Sequence, residues 1–178
     1  MRSLQGAFIA MGCALYMGAP VHADPTETFE VTAVVEEGCL VSGTLPSPGT
    51  NIGALGELNF GSASALSTEL LSAELVTDAG FELTCTPGVE VTMQVNSGGN
   101  SSGGLRHLAH LFDSEATPIA YRLYSDAAFT NEISAGTPIT IPRSGDEQVT
   151  ISMFGQVALT GDHRGGSYHD ELTVTIEW

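Results

Sequence analysis

Apolar residues fall mostly at every second position in several short segments of the chain, and this is the period of a strand that buries one face. Between these segments lie clusters of Gly, Pro, Ser and Asn, and no stretch has a sustained helical period. The pattern predicts an all-β sandwich of short strands. The alternating segments are residues 28–35, 80–86, 89–96, 119–124, 148–159 and 168–178, and a further short strand is expected at residues 58–61.

Glycine and proline add specific turn predictions. Pro87-Gly88 separates two alternating segments and predicts a hairpin between them. Gly155 interrupts the alternation of residues 148–159 and predicts a bulge or bend. Residues 97–104 contain only Gly, Ser and Asn, which predicts a flexible exposed loop. Two segments stay open: residues 62–73 suit a helix or a loop, and residues 105–113 suit a helical turn or a strand.

The first alternating segment is set apart from the rest of the chain by an acidic joint, Glu36-Glu37-Gly38. We predict that this segment is a donor strand, which completes the sheet of a partner chain. Its apolar positions are Phe29, Val31, Ala33 and Val35.

The last alternating segment predicts the clearest strand of the chain. It begins at Tyr168 and alternates to the final residue. Its apolar face consists of Leu172, Val174, Ile176 and Trp178.

The first residues have the layout of a secretory signal: Arg2, an apolar run from Gly6 to Gly18, and the small-residue site Val21-His22-Ala23. We predict a signal peptide at residues 1–23, and expect no membrane-spanning segment, because no later stretch approaches the roughly 20 apolar residues that a spanning helix needs. A competing interpretation is a lipoprotein that is acylated at Cys13. Cleavage after Ala23 leaves 155 of the 178 residues, enough for one domain.

The charge of the chain excludes some classes of partner, and its cysteine content predicts a disulfide. The chain has 21 carboxylates, 5 arginines and no lysine, which makes nucleic acid and anionic membrane surfaces poor partners. Removal of Cys13 with the signal leaves two cysteines, Cys39 and Cys85, in a chain exported to an oxidising compartment. We therefore predict a disulfide between them.

The sequence offers no catalytic constellation. His107 and His110 have a spacing that a helix could bring together, but no further ligands with metal-site spacing accompany them. We interpret them as surface histidines and predict neither a metal nor a cofactor. The GxSxG pattern is missing, and no Gly-rich stretch leads from a strand into a helix, so the chain is not expected to be an enzyme.

An ordered set of motifs resembles the spore coat protein U domain, the subunit family of archaic, Csu-type chaperone-usher pili. The resemblance covers almost the whole chain after the signal. The motifs are TFEVTAVVEEGCLVSG at residues 28–43, LGELNFG at 55–61, FELTCTPG at 81–88, IAYRLYSDAAFT at 119–130, MFGQV at 153–157 and GSYHDELTVTIEW at 166–178.

The resemblance implies an incomplete immunoglobulin-like sandwich that lacks its last strand and is completed by the N-terminal strand of the next subunit. It divides the chain into an N-terminal extension at residues 24–37 and a pilin domain at residues 38–178. The matching positions are the donor-strand anchors Phe29, Val31, Ala33 and Val35, the disulfide Cys39–Cys85, and the groove-lining residues Leu172, Val174, Ile176 and Trp178.

The resemblance also implies a function and partners. The expected function is a structural pilus subunit that polymerises by donor-strand exchange and supports adhesion and biofilm formation. The expected partners are copies of itself or other pilus subunits, a periplasmic chaperone and an outer-membrane usher. The expected location is the periplasm and then the cell surface of a Gram-negative bacterium.

Two alternatives remain. A secreted coat or matrix protein would insert the extension into its own groove, which the three-residue joint at residues 36–38 should make difficult if the groove is distant. A small-molecule or metal-binding module would use His107 and His110.

Overall fold

A computed structural model describes residues 28–143 and 147–178. The predicted signal peptide, the alternative acylation site at Cys13 and the start of the extension lie outside the described residues. The described secondary structure is all strand. The strands are β1 Cys39–Val41, β2 Gly56–Leu58, β3 Leu70–Thr77, β4 Leu83–Cys85, β5 Thr92–Val95, β6 Arg106–His110, β7 Ile119–Tyr124, β8 Ile139–Thr140, β9 Gln148–Val149, β10 Phe154–Ala158, β11 Tyr168–His169 and β12 Val174–Glu177.

The strands pair antiparallel in three ladders, with the orders β1-β4-β9, β12-β5-β8 and β11-β6-β7-β10-β3-β2. Inward-facing residues of all three ladders form one core, because strands with a single buried face must pack against another sheet. The all-β sandwich predicted from the alternation is confirmed. Its buried residues include Leu83, Val91, Val95, Leu123, Ile133, Val149 and Val157.

The two three-stranded ladders follow one another along a single bent pair of strands. Leu83 pairs with Val149, and nine residues later Thr92 pairs with Thr140, nine residues before Val149. This register runs without a slip, so β4 and β5 continue in one direction, as do β8 and β9. Strands β1 and β12 therefore lie end to end along the same side of β4 and β5.

The hairpin predicted at Pro87-Gly88 is wrong, because the chain bends there without reversing. Arg143 supports the bend, since its guanidinium donates to the carbonyl oxygens of Val89 at 2.8 Å and Thr86 at 3.2 Å. These two carbonyl groups are not paired in a ladder, and the arginine gives them hydrogen-bond partners.

Each of two predicted strands divides into two shorter strands, one in each layer of the sandwich. Residues 148–159 become β9 in one layer and β10 in the other, and residues 168–178 become β11 and β12 in the same way. Alternation continues through both crossings, because a residue that changes sheet still keeps one side toward the shared core. We call residues 170–173, which carry the chain from β11 to β12, the crossover.

Neither open segment forms a helix. Residues 62–69 contain no strand, in agreement with the loop alternative, and a strand begins at residue 70. Residues 70–77 form β3. Leu71, Ala73 and Leu75 on one face of this strand are half-buried, whereas Leu70 and Val76 on the other face are exposed. Its Leu, Ala and Glu content favours helix, so pairing with β10 and β2 overrides local propensity. Residues 106–110 form β6.

Gly155 lies within β10 in unbroken register with β3 and β7, so the predicted bulge is wrong. The residue is glycine because the strand is closely approached by its neighbours. A Cβ at this position would lie 2.7 Å from Leu58 Cδ2 and 2.8 Å from Phe60 Cζ.

We expect Gly155→Ala to lower the free energy of unfolding by about 1–3 kcal/mol, because the new methyl group overpacks the contact with Leu58 and Phe60. Urea unfolding followed by circular dichroism measures the loss. Gly165→Ala is the matched control, because a Cβ there meets no atom within 4 Å. Equal stability of the two variants would contradict the close approach.

The predicted disulfide is present between Cys39 and Cys85. The two residues face one another in the β1–β4 ladder, and both are buried. The bond therefore joins neighbouring strands of one sheet near the start of the domain.

Candidate functional site

An open groove of about 1770 Å³ runs along one side of the sandwich. Its walls include β12 from one layer and β2 from the other, and both are edge strands. The volume exceeds the roughly 300–1,000 Å³ of typical small-molecule pockets, so an extended peptide suits it better than a small ligand.

The floor of the groove is apolar. It consists of partly buried side chains together with three buried core side chains, those of Leu123, Met153 and Val157. They come from strands that are distant in sequence, which is why the alternation alone did not identify them as one site. Leu71 and Leu75, on the same face of β3, were the available signal. The principal floor residues are Leu58, Phe60, Leu71, Leu75, Leu108, Leu123, Met153 and Val157.

The predicted groove-lining residues Leu172, Val174, Ile176 and Trp178 all line this groove. The first three are half-buried, and Trp178 is 44% exposed. Their side chains therefore cover the core from one side and leave the other side open. Their proposed role in receiving a donor strand stays a prediction.

Strand β12 has an unpaired backbone edge. In the part of the chain that the structure describes, its one ladder partner is β5. Asn96 N donates to Thr173 O at 3.0 Å. Hydrogen-bonded and non-hydrogen-bonded pairs alternate in an antiparallel ladder. The backbone N–H and C=O of Thr175 therefore also point toward β5, while those of Val174 and Ile176 point away from it. An incoming strand could pair with these free groups.

Gly38 lies at the Trp178 end of the groove. A Cβ on Gly38 would lie 3.8 Å from Nε1 of Trp178. This agrees with the end-to-end arrangement of β12 and β1. The joint that carries the extension thus attaches to the domain beside the groove.

The opposite end of the groove contains a polar cluster around the crossover. Tyr121 Oη donates to Asp170 Oδ2 at 2.7 Å, and both residues line the groove. Burial, and after it the hydrogen bond to Asp170, raises the pKa of Tyr121 well above its usual value. Tyr121 therefore remains a hydrogen-bond donor at physiological pH.

The extension is described from residue 28 onward. Residues 28–38 form no strand, so the predicted donor strand is not present as a strand in the single chain. A β-strand is stabilised by hydrogen bonds to a neighbouring strand. The anchor side chains are exposed: Phe29 is 85% exposed, Val31 78% and Val35 92%, and Ala33 is also exposed.

The structure does not bring His107 and His110 together. Both lie on β6, where residues three apart point to opposite faces. His107 Nδ1 is 3.2 Å from Leu105 O, whereas His110 Nε2 is 3.2 Å from Gly165 O. Within residues 28–143 and 147–178, no group of three or more His, Cys, Asp or Glu residues is placed to hold a metal.

The same described residues contain no helix long and apolar enough to cross a bilayer.

Two solved structures show weak similarity to the chain. One is the CsuC–CsuE chaperone–tip adhesion subunit pre-assembly complex from the archaic chaperone-usher Csu pili of Acinetobacter baumannii, with 15% identity, a TM-score of 0.43, and coverage of 62% of this chain and 35% of that chain. The other is a chaperone–tip adhesin complex of CFA/I fimbriae biogenesis, with 14% identity, a TM-score of 0.42, and coverage of 67% and 38%. The chain thus spans little more than a third of either solved chain.

The comparison with curated proteins gave no match. The comparison with protein families did: residues 25–175 match the Spore Coat Protein U domain. This match covers most of the chain, from the extension to β12. The chain therefore belongs to the Spore Coat Protein U domain family.

Proposed function

We propose that this protein is a structural pilus subunit that polymerises by donor-strand exchange. The observation that carries the proposal is the apolar groove beside the unpaired edge of β12. An open edge next to exposed apolar surface promotes aggregation unless something covers it. The proposed cover is the N-terminal extension of a second copy.

The extension and the groove edge match in length and pattern. Residues 29–35 and residues 172–178 each span seven positions and carry apolar residues at alternate positions. Seven residues of strand extend about 20 Å. A donor strand of this length would pair with the free backbone groups of β12 and place its four anchors over the apolar floor.

The energetics favour this association. Burial of a large apolar side chain stabilises a complex by about 1.5–3 kcal/mol, and three of the four anchors are large. Association and ordering costs reduce the total. Backbone pairing along the added strand contributes further, as in other cases of strand addition to a sheet edge.

The proposal includes assembly partners. A periplasmic chaperone would hold the groove before assembly, and an outer-membrane usher would deliver subunits to the cell surface. The pilus would support adhesion and biofilm formation. Residues 38–178 would be the pilin domain, residues 24–37 the extension, and the signal peptide would direct export.

A secreted coat or matrix protein with a self-inserted extension is the second candidate. The expectation that the short joint prevents self-insertion assumed a distant groove, but Gly38 lies at the groove's end. Since β1 and β12 run in one direction, an extension in its own groove would run parallel to β12. Exchange between copies also permits the antiparallel arrangement, which is slightly more stable per residue.

A mixing experiment separates the two candidates. Phe29→Asp blocks donation, and Ile176→Asp blocks acceptance. With exchange between copies, each variant alone gives no SDS-resistant multimer, whereas their mixture gives a dimer. Thr175→Asp is the control for Ile176→Asp, because Thr175 is exposed on the same strand.

A mixture that yields only monomer would overturn the pilus proposal. If the wild-type chain is then also monomeric and loses stability on Phe29→Asp, the self-inserted form is supported.

Assembly should accelerate with salt. Glu30 lies between two anchors and Glu36 directly follows the last one, while Glu171 in the crossover and Glu177 on β12 are exposed at the groove edge that would receive them. Like charges slow association, and added salt weakens this repulsion, because charges farther apart than about 10 Å are largely screened at 0.1 M. We expect stopped-flow measurements to show faster polymerisation between 20 and 200 mM NaCl, on the order of several-fold. A rate that falls with salt would contradict this electrostatic assignment.

A further inference from the structure

The carboxylate of Asp170, in the crossover, is held from two directions. Its Oδ1 accepts hydrogen bonds from Gly99 N at 2.9 Å, Asn100 N at 3.2 Å and Asn100 Nδ2 at 3.0 Å. Its Oδ2 accepts from Tyr121 Oη at 2.7 Å. Four donors thus converge on one side chain.

These donors come from a strand of one layer and from the loop at residues 97–104, which connects the two layers. Tyr121 is on β7 of the six-stranded ladder, whereas residues 99–100 follow β5 of the other layer. Asp170 therefore connects the two layers at the point where the chain passes between them. The groove lies between the same two layers, so this connection sets their relation at one end of it.

Further hydrogen bonds join the loop at residues 97–104, and Asn96 just before it, to the crossover and to His169. Asn96 Oδ1 accepts from Thr173 N at 2.9 Å, and Asn100 Nδ2 lies 3.1 Å from His169 O. These contacts fix the start of β12, because Thr173 directly precedes it. The loop at residues 97–104, expected to be flexible, is thereby attached to the groove wall.

Gly98 shows how closely the loop approaches the carboxylate. A Cβ on Gly98 would overlap the Asp170 side chain, and the residue has a φ of +80°. Both features favour glycine. Arg106 holds the residues directly before the loop: it is 5% exposed and donates to Asn96 O at 2.9 Å and Val95 O at 3.1 Å.

We propose that Asp170 is a positioning residue that pre-forms the groove wall for donor-strand capture. The inference rests on the proposed function. Without the four hydrogen bonds, the start of β12 would sample positions in which its free edge is not aligned for an incoming strand. Donor affinity falls with the fraction of subunits in the competent state.

The test uses full-length chains that carry Phe29→Asp, so that they cannot donate, and a synthetic peptide of residues 26–38 as the donor. Trp178 is the one tryptophan of the chain and lines the groove, so its fluorescence reports occupancy. Asp170→Ala should reduce the apparent peptide affinity about tenfold, as expected if one subunit in ten is competent. Asp170→Asn should recover most of the affinity, because its amide can keep the loop donors and donate to Tyr121.

Asp126→Ala is the matched control. The Asp126 carboxylate also accepts backbone hydrogen bonds, from Thr130 N at 3.1 Å and Asn131 N at 2.7 Å, but it does not line the groove. It should lose stability without losing peptide affinity. If Asp170→Ala does not fold, Tyr121→Phe removes a single bond, and Tyr124→Phe on the same strand is its control.

The outcomes are distinct. Failure of the parent chain to bind the peptide would overturn the proposed function itself. Binding by the parent with unchanged affinity in Asp170→Ala, or in Tyr121→Phe where that variant replaces it, would overturn only the role of Asp170. Equal losses in Asp126→Ala, or no recovery in Asp170→Asn, would also contradict the positioning role.

Discussion

Val31→Asp is expected to abolish polymerisation. Val31 is the second of the anchors, and in the proposed joint its side chain enters the apolar groove. The substitution removes the burial of a valine, about 1.5–3 kcal/mol, and adds the cost of a carboxylate without a partner in an apolar site. A combined loss of about 4 kcal/mol or more corresponds to roughly a thousandfold weaker joint. SDS gel electrophoresis without heating measures the loss as the disappearance of the multimer ladder.

Val34→Asp is the matched control, because Val34 is an equally exposed valine in the opposite phase of the alternation. Its side chain would point to solvent in the joint, and exposed substitutions of this kind usually change stability by no more than about 0.5 kcal/mol. The ladder should therefore persist. Loss of the ladder in both variants, or in neither, would refute the proposed register of the donor strand.

Removal of the disulfide should cause the largest loss of stability within the domain. The bond closes a loop with a sequence separation of 46 residues. Cross-linking a loop of this length stabilises the folded state by about 4 kcal/mol in the chain-entropy treatment. We expect Cys39→Ala/Cys85→Ala to lower Tm by about 10 °C for a domain of this size, as measured by calorimetry.

The reductant provides the control for this prediction. Dithiothreitol should lower the Tm of the wild-type chain toward that of the double variant and should not change the variant itself. A wild-type Tm that is insensitive to both reduction and substitution would show that β1 is held by packing alone.

Local alternation predicted several strands well, because a strand that buries one face carries apolar residues at every second position. Residues 119–124 were predicted as a strand and form β7 with the same bounds. The disulfide followed from the count of cysteines that remain after export. The four apolar residues of the last segment lie along the groove, and their role in receiving a donor strand stays a prediction.

Sheet membership was not predictable in the same way. Alternation shows that one face of a strand is buried, but not which strand lies beside it. Pro87-Gly88 has turn chemistry, yet the bend there depends on Arg143, more than 50 residues away. Similarly, the bond between Tyr121 and Asp170 joins residues separated by 49 positions, so the polar end of the groove had no local signal.

The position of the disulfide has a mechanical consequence for the proposed polymer. Tension between subunits would enter each domain through the joint at Gly38, directly before Cys39. Strand β1 has only three residues, so its hydrogen bonds alone would oppose little force. Because Cys39 is bonded to Cys85, the load passes covalently into β4 and the long bent strand at the centre of its sheet. In such a fibre the core of each domain would carry the force. The joint between a donor strand and its groove, which has no covalent bond, would then separate first.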